Sequence, residues 1–541
     1  MITWFVTRHP GAVAWAHQHG VVAPPEEGGS ERIVDTIDPA DVGLGDTVIG
    51  TLPVHLAAEI CARGGRYFHI VMTVPTHRRG DELTPDDMVS FGATCREFIV
   101  FSSPVMPVAQ TPASLPALGQ GSHVCLVSDQ HMANLLPILK RRPARVELVC
   151  TPEMLAPDRG LDRLARSLQR YGYGAAQITP HGAPPECSMD FHAARQFARQ
   201  LREKLLLAHP TEPLTLNATG GTKALSSAFF MEFQGLEILY TDTQGGGYIR
   251  HMESATQPPE ALGSLITSID DYLHCQGYRI TRSASDDEAW RQTVRGRRPL
   301  SGKLVEALSG RGQGPVGTLI GELNRRAQQV EELIYKAHIQ GNLKSASAER
   351  KRTLLEKHVA TTAIPDLRCP KAAATPLLDS IFAAGLLVRN GEGDPAFFSS
   401  LDALRYLGGG WLEEWAWLAA SDCGVDDCRC GVFVQANDEG AAGNKDDNEL
   451  DLVILHKNRL LIAECKTINW QGANGKQDIL NKIDALGNHA RGLYGRSLLV
   501  SARLLDDDAR RRARAYGVTV LEAASLTGLK KQIRSWMGSK P

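Results

Sequence analysis

Short apolar runs alternate with helical patterns through the first 101 residues of this 541-residue chain. Runs rich in β-branched and aromatic residues predict strands, and apolar residues spaced three or four apart predict helices. The alternation indicates a small parallel α/β sheet. The predicted strands are Ile2–Val6, Asp46–Gly50 and Tyr67–Val74, and the predicted helices are Gly11–His19 and Val54–Arg63.

The pattern changes at residues 102–121, which are rich in proline, alanine, serine and glutamine. This composition predicts a semi-extended linker and a domain boundary. A second alternation of strands and helices follows over residues 122–275. Its predicted strands are Val124–Val127, Val146–Cys150, Leu214–Leu216 and Ile238–Tyr240, and its predicted helices are Met132–Lys140, Asp162–Tyr171, Phe191–Ala208 and Ala224–Phe233.

Residues 276–404 have a charged, helical pattern and predict a connector, in which Pro376–Phe398 resembles a winged helix. The last predicted domain covers residues 405–541. In it, two apolar, β-rich runs meet at Lys457 and Asn458, and a tight turn at these two residues would make a hairpin.

Counting outward from that turn places Asp451 directly opposite Glu464, and Lys466 lies two residues further along the same face. Two carboxylates suit Mg²⁺ or Mn²⁺, and the lysine can hold an attacking water or offset phosphate charge. An exposed hairpin face with an ordinary ion pair is the alternative interpretation of these three residues alone.

A phosphate-type loop lies between a predicted strand and a helix in the second domain. Asn217, Thr219, Gly220, Gly221, Thr222 and Lys223 form the sequence N-A-T-G-G-T-K. Glycines let backbone N–H groups approach a ligand, and a helix N-terminus favours an anion. The spacing is not that of a Walker A loop, and a plain strand-to-helix turn is the other interpretation.

Two loops of the first domain also follow predicted strands, where ligands bind in open parallel sheets. Arg8 and His9 follow the first strand, and His55 follows the second. An arginine guanidinium can bind a phosphate through two parallel hydrogen bonds, and a histidine can act as an acid or a base near neutral pH. An isolated histidine is, however, more often structural.

Composition limits the other possibilities. The net charge of -2 provides no global basic field for nucleic acid, so any such binding must be local. No apolar run reaches the roughly 18 residues of a membrane span, and no secretory signal is visible, so we expect a cytoplasmic protein. Among the 11 cysteines, only Cys423, Cys428 and Cys430 cluster; a zinc site there is possible, but a solvent-side loop is expected.

The last domain resembles the PD-(D/E)xK nucleases, and in particular the CRISPR ancillary nucleases that carry a CARF sensor domain. The matching motifs are G-G-W-L-E ending at Glu413, N-E-L-D ending at Asp451, and E-C-K-T from Glu464. The resemblance implies a metal-dependent endonuclease acting on DNA, RNA or both, with Asp451, Glu464 and Glu413 as metal ligands and Lys466 as a further catalytic residue.

The second domain is similar to the CARF domain of the same nucleases. The resemblance implies that cyclic tetra-adenylate binds across the two-fold axis of a homodimer, because the ring is itself symmetric. Thr151 either lines the pocket or begins a helix before Pro152. The ligand-binding residues that the resemblance implies are Ser128, Asp129, Gln130, Asn134, Thr151, Asn217, Thr219, Gly220, Gly221, Thr222, Lys223 and Thr243.

The first domain resembles a small CRISPR-associated family through F-V-T-R-H-P-G-A and G-T-L-P-V-H-L-A-A. That family implies either a ring nuclease, with Arg8, His9 and His55 as catalytic residues, or a sink that binds the messenger without cleaving it. A third alternative is a ligand-gated regulator with a degenerate nuclease, against which the intact Asp451, Glu464 and Lys466 argue.

The sequence thus predicts an α/β multidomain protein. It has a small N-terminal parallel α/β domain over residues 1–101, a Rossmann-like CARF domain over 122–275, a helical connector over 276–404, and a restriction-endonuclease-like α/β nuclease domain over 405–541.

Overall fold

A computed structural model gives the fold of most of the chain. It describes residues 2–22, 31–43, 45–63, 65–75, 78, 81–98, 100, 117–156, 159–242, 247–253, 257–309, 314–339, 347–365, 367, 372–391, 394–436, 448–468, 470, 479–481, 483, 492 and 494–538. The chain divides into two compact units, Met1–Leu115 and Pro116–Pro541, and the division falls inside the predicted linker. No helix in the described ranges is long and apolar enough to cross a membrane.

The N-terminal unit is a five-stranded sheet with strand order β2-β1-β3-β4-β5, in which only β5 runs antiparallel to its neighbour. Alternate side chains of its strands enter two cores: Phe5, Ile49 and Ile70 lie in one, and Trp4 and Val48 in the other. The predicted elements are confirmed, whereas β2 and β5 were not predicted. The elements are β1 Thr3–Val6, α1 Pro10–Gln18, β2 Glu31–Val34, β3 Thr47–Gly50, α2 Val54–Ala62, β4 Arg66–Val71, α3 Pro85–Ser90 and β5 Thr94–Phe98.

Residues 117–275 contain the domain predicted over 122–275, which we call the sensor domain after its predicted role, and it is built on a seven-stranded sheet of order β12-β11-β10-β9-β6-β7-β8. The five strands from β10 to β8 in this order are parallel, and β11 and β12 form an antiparallel edge. The elements are β6 Ser122–Leu126, α4 Met132–Arg141, β7 Arg145–Cys150, α5 Gly160–Arg170, β8 Ile178–Gly182, α6 Phe191–Ala208, β9 Leu214–Asn217, α7 Lys223–Glu232, β10 Glu237–Thr241, β11 Tyr248–His251, β12 Glu260–Ala261 and α8 Ile269–Cys275.

The connector is helical, as predicted, and shares a single core with the nuclease domain: Leu319 and Leu323 belong to the same cluster as Trp411, Leu452 and Ala463. The segment resembling a winged helix forms one helix and a two-stranded antiparallel ribbon. The elements are α9 Glu288–Ser309, α10 Pro315–His338, α11 Ala348–His358, α12 Thr375–Ala383, β14 Leu387–Val388, β15 Phe397–Phe398 and α13 Leu401–Arg405.

The nuclease domain has a six-stranded mixed sheet of order β13-β16-β17-β18-β19-β20. Its edge strand β13, Tyr278–Ser283, pairs antiparallel with β16 although it belongs to the predicted connector, 276–404. That boundary needs correction because β13 finds its partner about 150 residues away, which local sequence does not reveal. The other elements are α14 Trp411–Ser421, β16 Asp427–Ala436, β17 Asn448–His456, β18 Arg459–Lys466, β19 Arg496–Ser501, α15 Asp507–Ala515, β20 Val518–Glu522 and α16 Leu529–Gly538.

Candidate functional sites

The hairpin of β17 and β18 has the register that the sequence predicted. Lys457 and Asn458 have φ of 48° and 62°, as a two-residue turn of type I′ requires. His456 pairs with Arg459, and the ladder continues to Leu452 and Ala463. The next position outward places Asp451 opposite Glu464.

Lys466 joins the two carboxylates at this position. Its Nζ lies 2.9 Å from Asp451 Oδ2 and 2.7 Å from Glu464 Oε1. The Cys465 N–H also donates to Asp451 Oδ2, over 2.8 Å. Burial favours the neutral amine, but Asp451 and Glu464 outweigh it, and the pKa of Lys466 is raised. Lys466 is therefore a firmly charged ammonium between two buried carboxylates.

Glu413 brings a third carboxylate to the hairpin. Burial, and then the charge of Asp451, raise the pKa of Glu413 well above its ordinary value. When all three carboxylates are ionised, Lys466 neutralises only one of the three negative charges. The excess of negative charge fits a hard divalent cation such as Mg²⁺ or Mn²⁺, which takes carboxylate oxygens and retains water ligands.

In the described part of the chain, no group of three or more histidine, cysteine or acidic side chains is arranged to hold a metal ion. Lys466 lies between Asp451 and Glu464, so metal binding at this position requires the ammonium to move aside. The chemistry of the donors fits the cation, and the ligand roles of Asp451, Glu464 and Glu413 stay predictions.

A glycine with a backbone conformation that other residues rarely adopt lies directly before α14. Tyr406–Gly410 form a π-helical turn, in which Gly409 has φ of 136°. A Cβ atom on Gly409 would lie 2.9 Å from Thr467 Oγ1, closer than real Cβ contacts. Thr467 Oγ1 in turn accepts a hydrogen bond of 2.6 Å from Asn324 Nδ2 of α10. Asn324 is a site neighbour that no local motif reveals, because its contact to Thr467 spans 143 residues.

In the sensor sheet, β6 lies between β7 and β9, so the order of the strands reverses there. In such sheets, ligands bind outside the carboxyl ends of the strands at the reversal. The loop after β6 contains Ser128, Asp129 and Gln130, and the loop after β9 contains Thr219 to Thr222. The fold thus places the two predicted ligand loops side by side.

Asn134 and Asn217 are fully buried and hold these loops together. Asn134 Nδ2 donates to the Leu126 carbonyl over 2.8 Å, and Asn217 Nδ2 donates to Asn134 Oδ1 over 3.1 Å. Thr219 continues the network, since its backbone N–H donates to Asn217 Oδ1 and its hydroxyl accepts from Thr241 N. In this conformation both buried asparagines hold the loops in position, and their predicted role in ligand binding stays a prediction.

The structure also explains why glycine occupies two positions of this loop. A Cβ atom on Gly220 would lie 2.0 Å from the Leu126 carbonyl oxygen, and Gly221 has φ of 78°. Thr222 caps α7 by accepting from Leu225 N, and Lys223 is exposed at the first turn. Ser128 is half-buried, and Asp129 and Gln130 are exposed. Lys223, Asp129 and Gln130 are thus the most accessible predicted ligand residues.

The last two predicted ligand residues have different outcomes. Thr151 is buried after β7, and its carbonyl accepts from Met154 N over 2.9 Å, so it begins a turn rather than the helix of the alternative interpretation, and its place in the pocket stays a prediction. Thr243 lies outside the described residues.

The N-terminal sheet reverses in the same way at β1, which lies between β2 and β3. Val6 pairs with Gly50, so the loops carrying Arg8 and His9 and the segment leading to His55 leave from one edge. All three side chains are exposed. The structure therefore places them at one ligand-type edge, as predicted, while their catalytic roles stay predictions.

His9 has an acidic partner at this edge. Its Nδ1 lies 3.2 Å from Glu82 Oε2, a contact across 73 residues that the sequence did not indicate. The segment that leads to His55 is held by Tyr67, whose hydroxyl donates to the Gly50 carbonyl and accepts from Leu52 N.

The three clustered cysteines do not form a solvent-side loop, so that expectation was wrong. Cys428 and Cys430 belong to β16, and Cys430 is buried. Cys423 follows α14, and its thiol donates to the Ala419 carbonyl. Burial raises the pKa of all three thiols, which are structural residues of the nuclease core in this arrangement.

Two regions of the chain match known families. Residues 4–101 match the family described as "Putative CRISPR-associated protein (Cas_VVA1548)". Residues 401–539 match the family described as "Card1-like, endonuclease domain". Residues 401–539 are thus similar to a Card1-like endonuclease domain. These matches confirm the resemblance to CRISPR-associated proteins at both ends of the chain.

Two solved structures share the fold. Can2 from Sulfobacillus thermosulfidooxidans, in complex with cyclic tetra-adenylate, is 21% identical with a TM-score of 0.53, over 78% of this chain and 100% of that chain. Protein VC1899 from Vibrio cholerae is 18% identical with a TM-score of 0.58, over 77% of this chain and 97% of that chain. They confirm the α/β multidomain fold class. No curated protein is similar enough to count as a match.

Proposed function

We propose that the chain is a type III CRISPR antiviral effector, a metal-dependent PD-(D/E)xK nuclease that cyclic tetra-adenylate activates by binding to the sensor domain. The observation that carries this proposal is the cluster of Asp451, Glu464 and Lys466 within the Card1-like endonuclease region. The fold shared with Can2, which was solved with cyclic tetra-adenylate, supports the messenger.

In the proposed reaction, Asp451, Glu464 and Glu413 would hold Mg²⁺ or Mn²⁺, and the bound ion would lower the pKa of a water and offset charge on the scissile phosphate. Lys466 carries a permanent positive charge beside both carboxylates. It orients the attacking water or donates to a phosphate oxygen as negative charge develops there. The hydrogen bond from Cys465 N keeps Asp451 in place.

The sensor domain would bind the messenger at the reversal of its sheet. Exposed Lys223 at the start of α7 suits a phosphate, as does the helix N-terminus beside it. A homodimer would bring two such edges together around a symmetric ring. The substrate is DNA, RNA or both.

For the N-terminal domain we propose a ring nuclease that limits the response. Ring opening requires a ribose 2′-oxygen to attack the adjacent phosphorus while the bond to the 5′-oxygen breaks. His9, beside Glu82, is suited to take the proton of the 2′-hydroxyl, and His55 to return a proton to the 5′-oxygen. Arg8 offsets the charge on the phosphate. A sink that only binds the messenger is the alternative.

One experiment tests both proposals in the full-length chain. Labelled cyclic tetra-adenylate, plasmid and RNA are incubated with the protein in Mn²⁺ or in EDTA. We expect nucleic-acid cleavage only with Mn²⁺ and messenger, and ring opening also in EDTA. Arg8→Ala should slow ring opening at least 10-fold, whereas Arg63→Ala, an exposed arginine of the same domain, should not. No ring opening, together with messenger binding that Arg8→Ala weakens, would support the sink.

A further inference from the structure

Asn458, in the turn of the nuclease hairpin, is fully buried although turn tips usually face solvent. Its side chain binds the end of the sensor domain. Nδ2 donates to the Gly263 carbonyl over 2.6 Å, and Oδ1 accepts from Leu265 N over 2.8 Å and from Ile266 N over 2.9 Å. Three of the four hydrogen bonds that an asparagine amide can make are therefore used on one backbone segment.

That segment continues into α8, and we name residues 263–275 the strut. At the start of α8, Ile269 N donates to Asp427 Oδ2 over 2.8 Å, and Asp427 is the first residue of β16. The adjacent Asp426 accepts from Lys457 N in the hairpin turn over 2.8 Å. One end of the strut is thus fixed to two neighbouring strands of the nuclease sheet.

The other end of the strut contacts the loop after β6. His131 is buried directly before α4, and its Nε2 hydrogen-bonds the carbonyl oxygen of Cys275, the last residue of α8. Its Nδ1 lies 3.1 Å from the Asp129 carbonyl oxygen. His131 therefore lies within the loop that carries Ser128, Asp129 and Gln130, at the proposed messenger site.

We propose that the strut couples messenger binding to the nuclease and that Asn458 is the residue through which it positions the active-site hairpin. Movement of the β6 loop would shift α8 through His131, and the strut would shift the turn of the hairpin through Asn458. The same hairpin carries Asp451 and Glu464. The inference rests on the proposed function, because it names how the messenger controls that nuclease site.

The coupling has a physical requirement that the side chain of Asn458 meets. A messenger shifts the protein toward its active conformation only by binding that conformation more tightly than the inactive one. The messenger site and the nuclease site are coupled when both bias the same structural element. Asn458 is held in place, because three hydrogen bonds join its side-chain amide to one backbone segment of the strut. Removing the amide would break the three hydrogen bonds between the hairpin turn and the strut, while the bond from Ile269 N to Asp427 would remain.

The test compares two glycine substitutions in one turn. Asn458→Gly keeps a backbone that accepts φ of 62° and removes all three side-chain hydrogen bonds. Lys457→Gly is the matched control, because Lys457 has φ of 48° and its side chain is exposed. We expect Asn458→Gly to keep messenger binding and to lose about 10-fold or more of the cleavage that cyclic tetra-adenylate stimulates. Lys457→Gly should retain it.

A second readout separates coupling from a merely structural role. Coupling is reciprocal, so uncleaved DNA or RNA in EDTA should tighten binding of the messenger to the Arg8→Ala protein, in which ring opening is slowed, and have no such effect once Asn458→Gly is added to it. Thermal melting checks that the variant is folded. Full stimulation of a folded Asn458→Gly protein would overturn the inference alone. A wild-type protein that cyclic tetra-adenylate does not stimulate would overturn the proposed function first.

Discussion

Asn324 of the connector helix α10 donates its side-chain amide to Thr467 Oγ1 over 2.6 Å, one residue after Lys466. The connector is therefore part of the wall around the nuclease site rather than a spacer. Arg503, which follows β19, makes a second contact of this kind by donating to the Gly317 carbonyl of α10. The hydrophobic core that the connector shares with the nuclease domain also shows that the two segments pack together.

Lys466→Met should reduce nucleic-acid cleavage at least 100-fold while messenger binding persists. The substitution leaves Asp451 and Glu464 buried beside each other without the ammonium that contacts both. Lys457→Met, at the exposed turn of the same hairpin, is the control and should be as active as the wild type. Equal activity of the two variants would exclude Lys466 from the catalytic site.

Gly409→Ala should lower both stability and activity. The residue has φ of 136°, and the added Cβ would meet Thr467 Oγ1 at 2.9 Å, so Thr467 or α14 must shift. Such backbone strain costs about 1–3 kcal/mol in the free energy of unfolding. Gly302→Ala is the comparison, because no atom lies within 4 Å of its added Cβ in α9. Urea denaturation and cleavage assays of both variants provide the measurement.

Asp422 should give the nuclease core a pH-dependent share of its stability. Arg298, followed by Lys530, lowers the pKa of Asp422 to about 2. Because the pKa of Asp422 is lower in the folded state than in the unfolded chain, the ion pair stabilises the folded state at every pH above the ordinary pKa of aspartate. This stability is lost as the pH falls through about 2. Because the pair is partly exposed, we expect Asp422→Asn to cost about 1 kcal/mol at pH 7 and less as the pH approaches 2.

The control for that experiment is Asp508→Asn. The Asp508 side chain is 73% exposed, and its partner Arg511 lies on the same helix. Its substitution should change the free energy of unfolding by less than about 0.5 kcal/mol at any pH. A gap between wild type and Asp422→Asn that stays constant down to pH 2 would contradict the ion-pair explanation.

Lys223→Ala should raise the concentration of cyclic tetra-adenylate that gives half-maximal cleavage, by about 10-fold, without changing cleavage at saturation. The reason is the position of Lys223 at the exposed first turn of α7, where it adds charge to the helix N-terminus. Lys204→Ala, an exposed lysine of α6, should have no effect. Unchanged half-saturation in the Lys223 variant would move the messenger site away from this loop.

The sequence predicts those parts of the fold that depend on neighbouring residues. Turn chemistry at Lys457 and Asn458 set the register of the active-site hairpin, and helix patterns such as Phe191–Ala208 were recovered with their bounds. Contacts that depend on distant pairing could not be read locally. Strand β13, the His9–Glu82 contact and the burial of Asn458 all depend on partners more than 70 residues away.

The role of Asn134 and Asn217 shows a second limit. Polar residues in a ligand-type loop look alike in sequence whether they face a ligand or hold the loop, and only burial separates the two cases. The same holds for Gly220, whose absent side chain makes room for the Leu126 carbonyl.

The central claim is that Asp451, Glu464 and Lys466 form a nuclease site under messenger control. The most direct measurement is cleavage of plasmid and RNA with Mg²⁺, with and without cyclic tetra-adenylate, by the wild type, by Glu464→Gln and by Glu306→Gln, an exposed glutamate of α9. We predict messenger-stimulated cleavage by the wild type and Glu306→Gln, and none by Glu464→Gln, which should still bind messenger. Undiminished cleavage by Glu464→Gln would contradict the account.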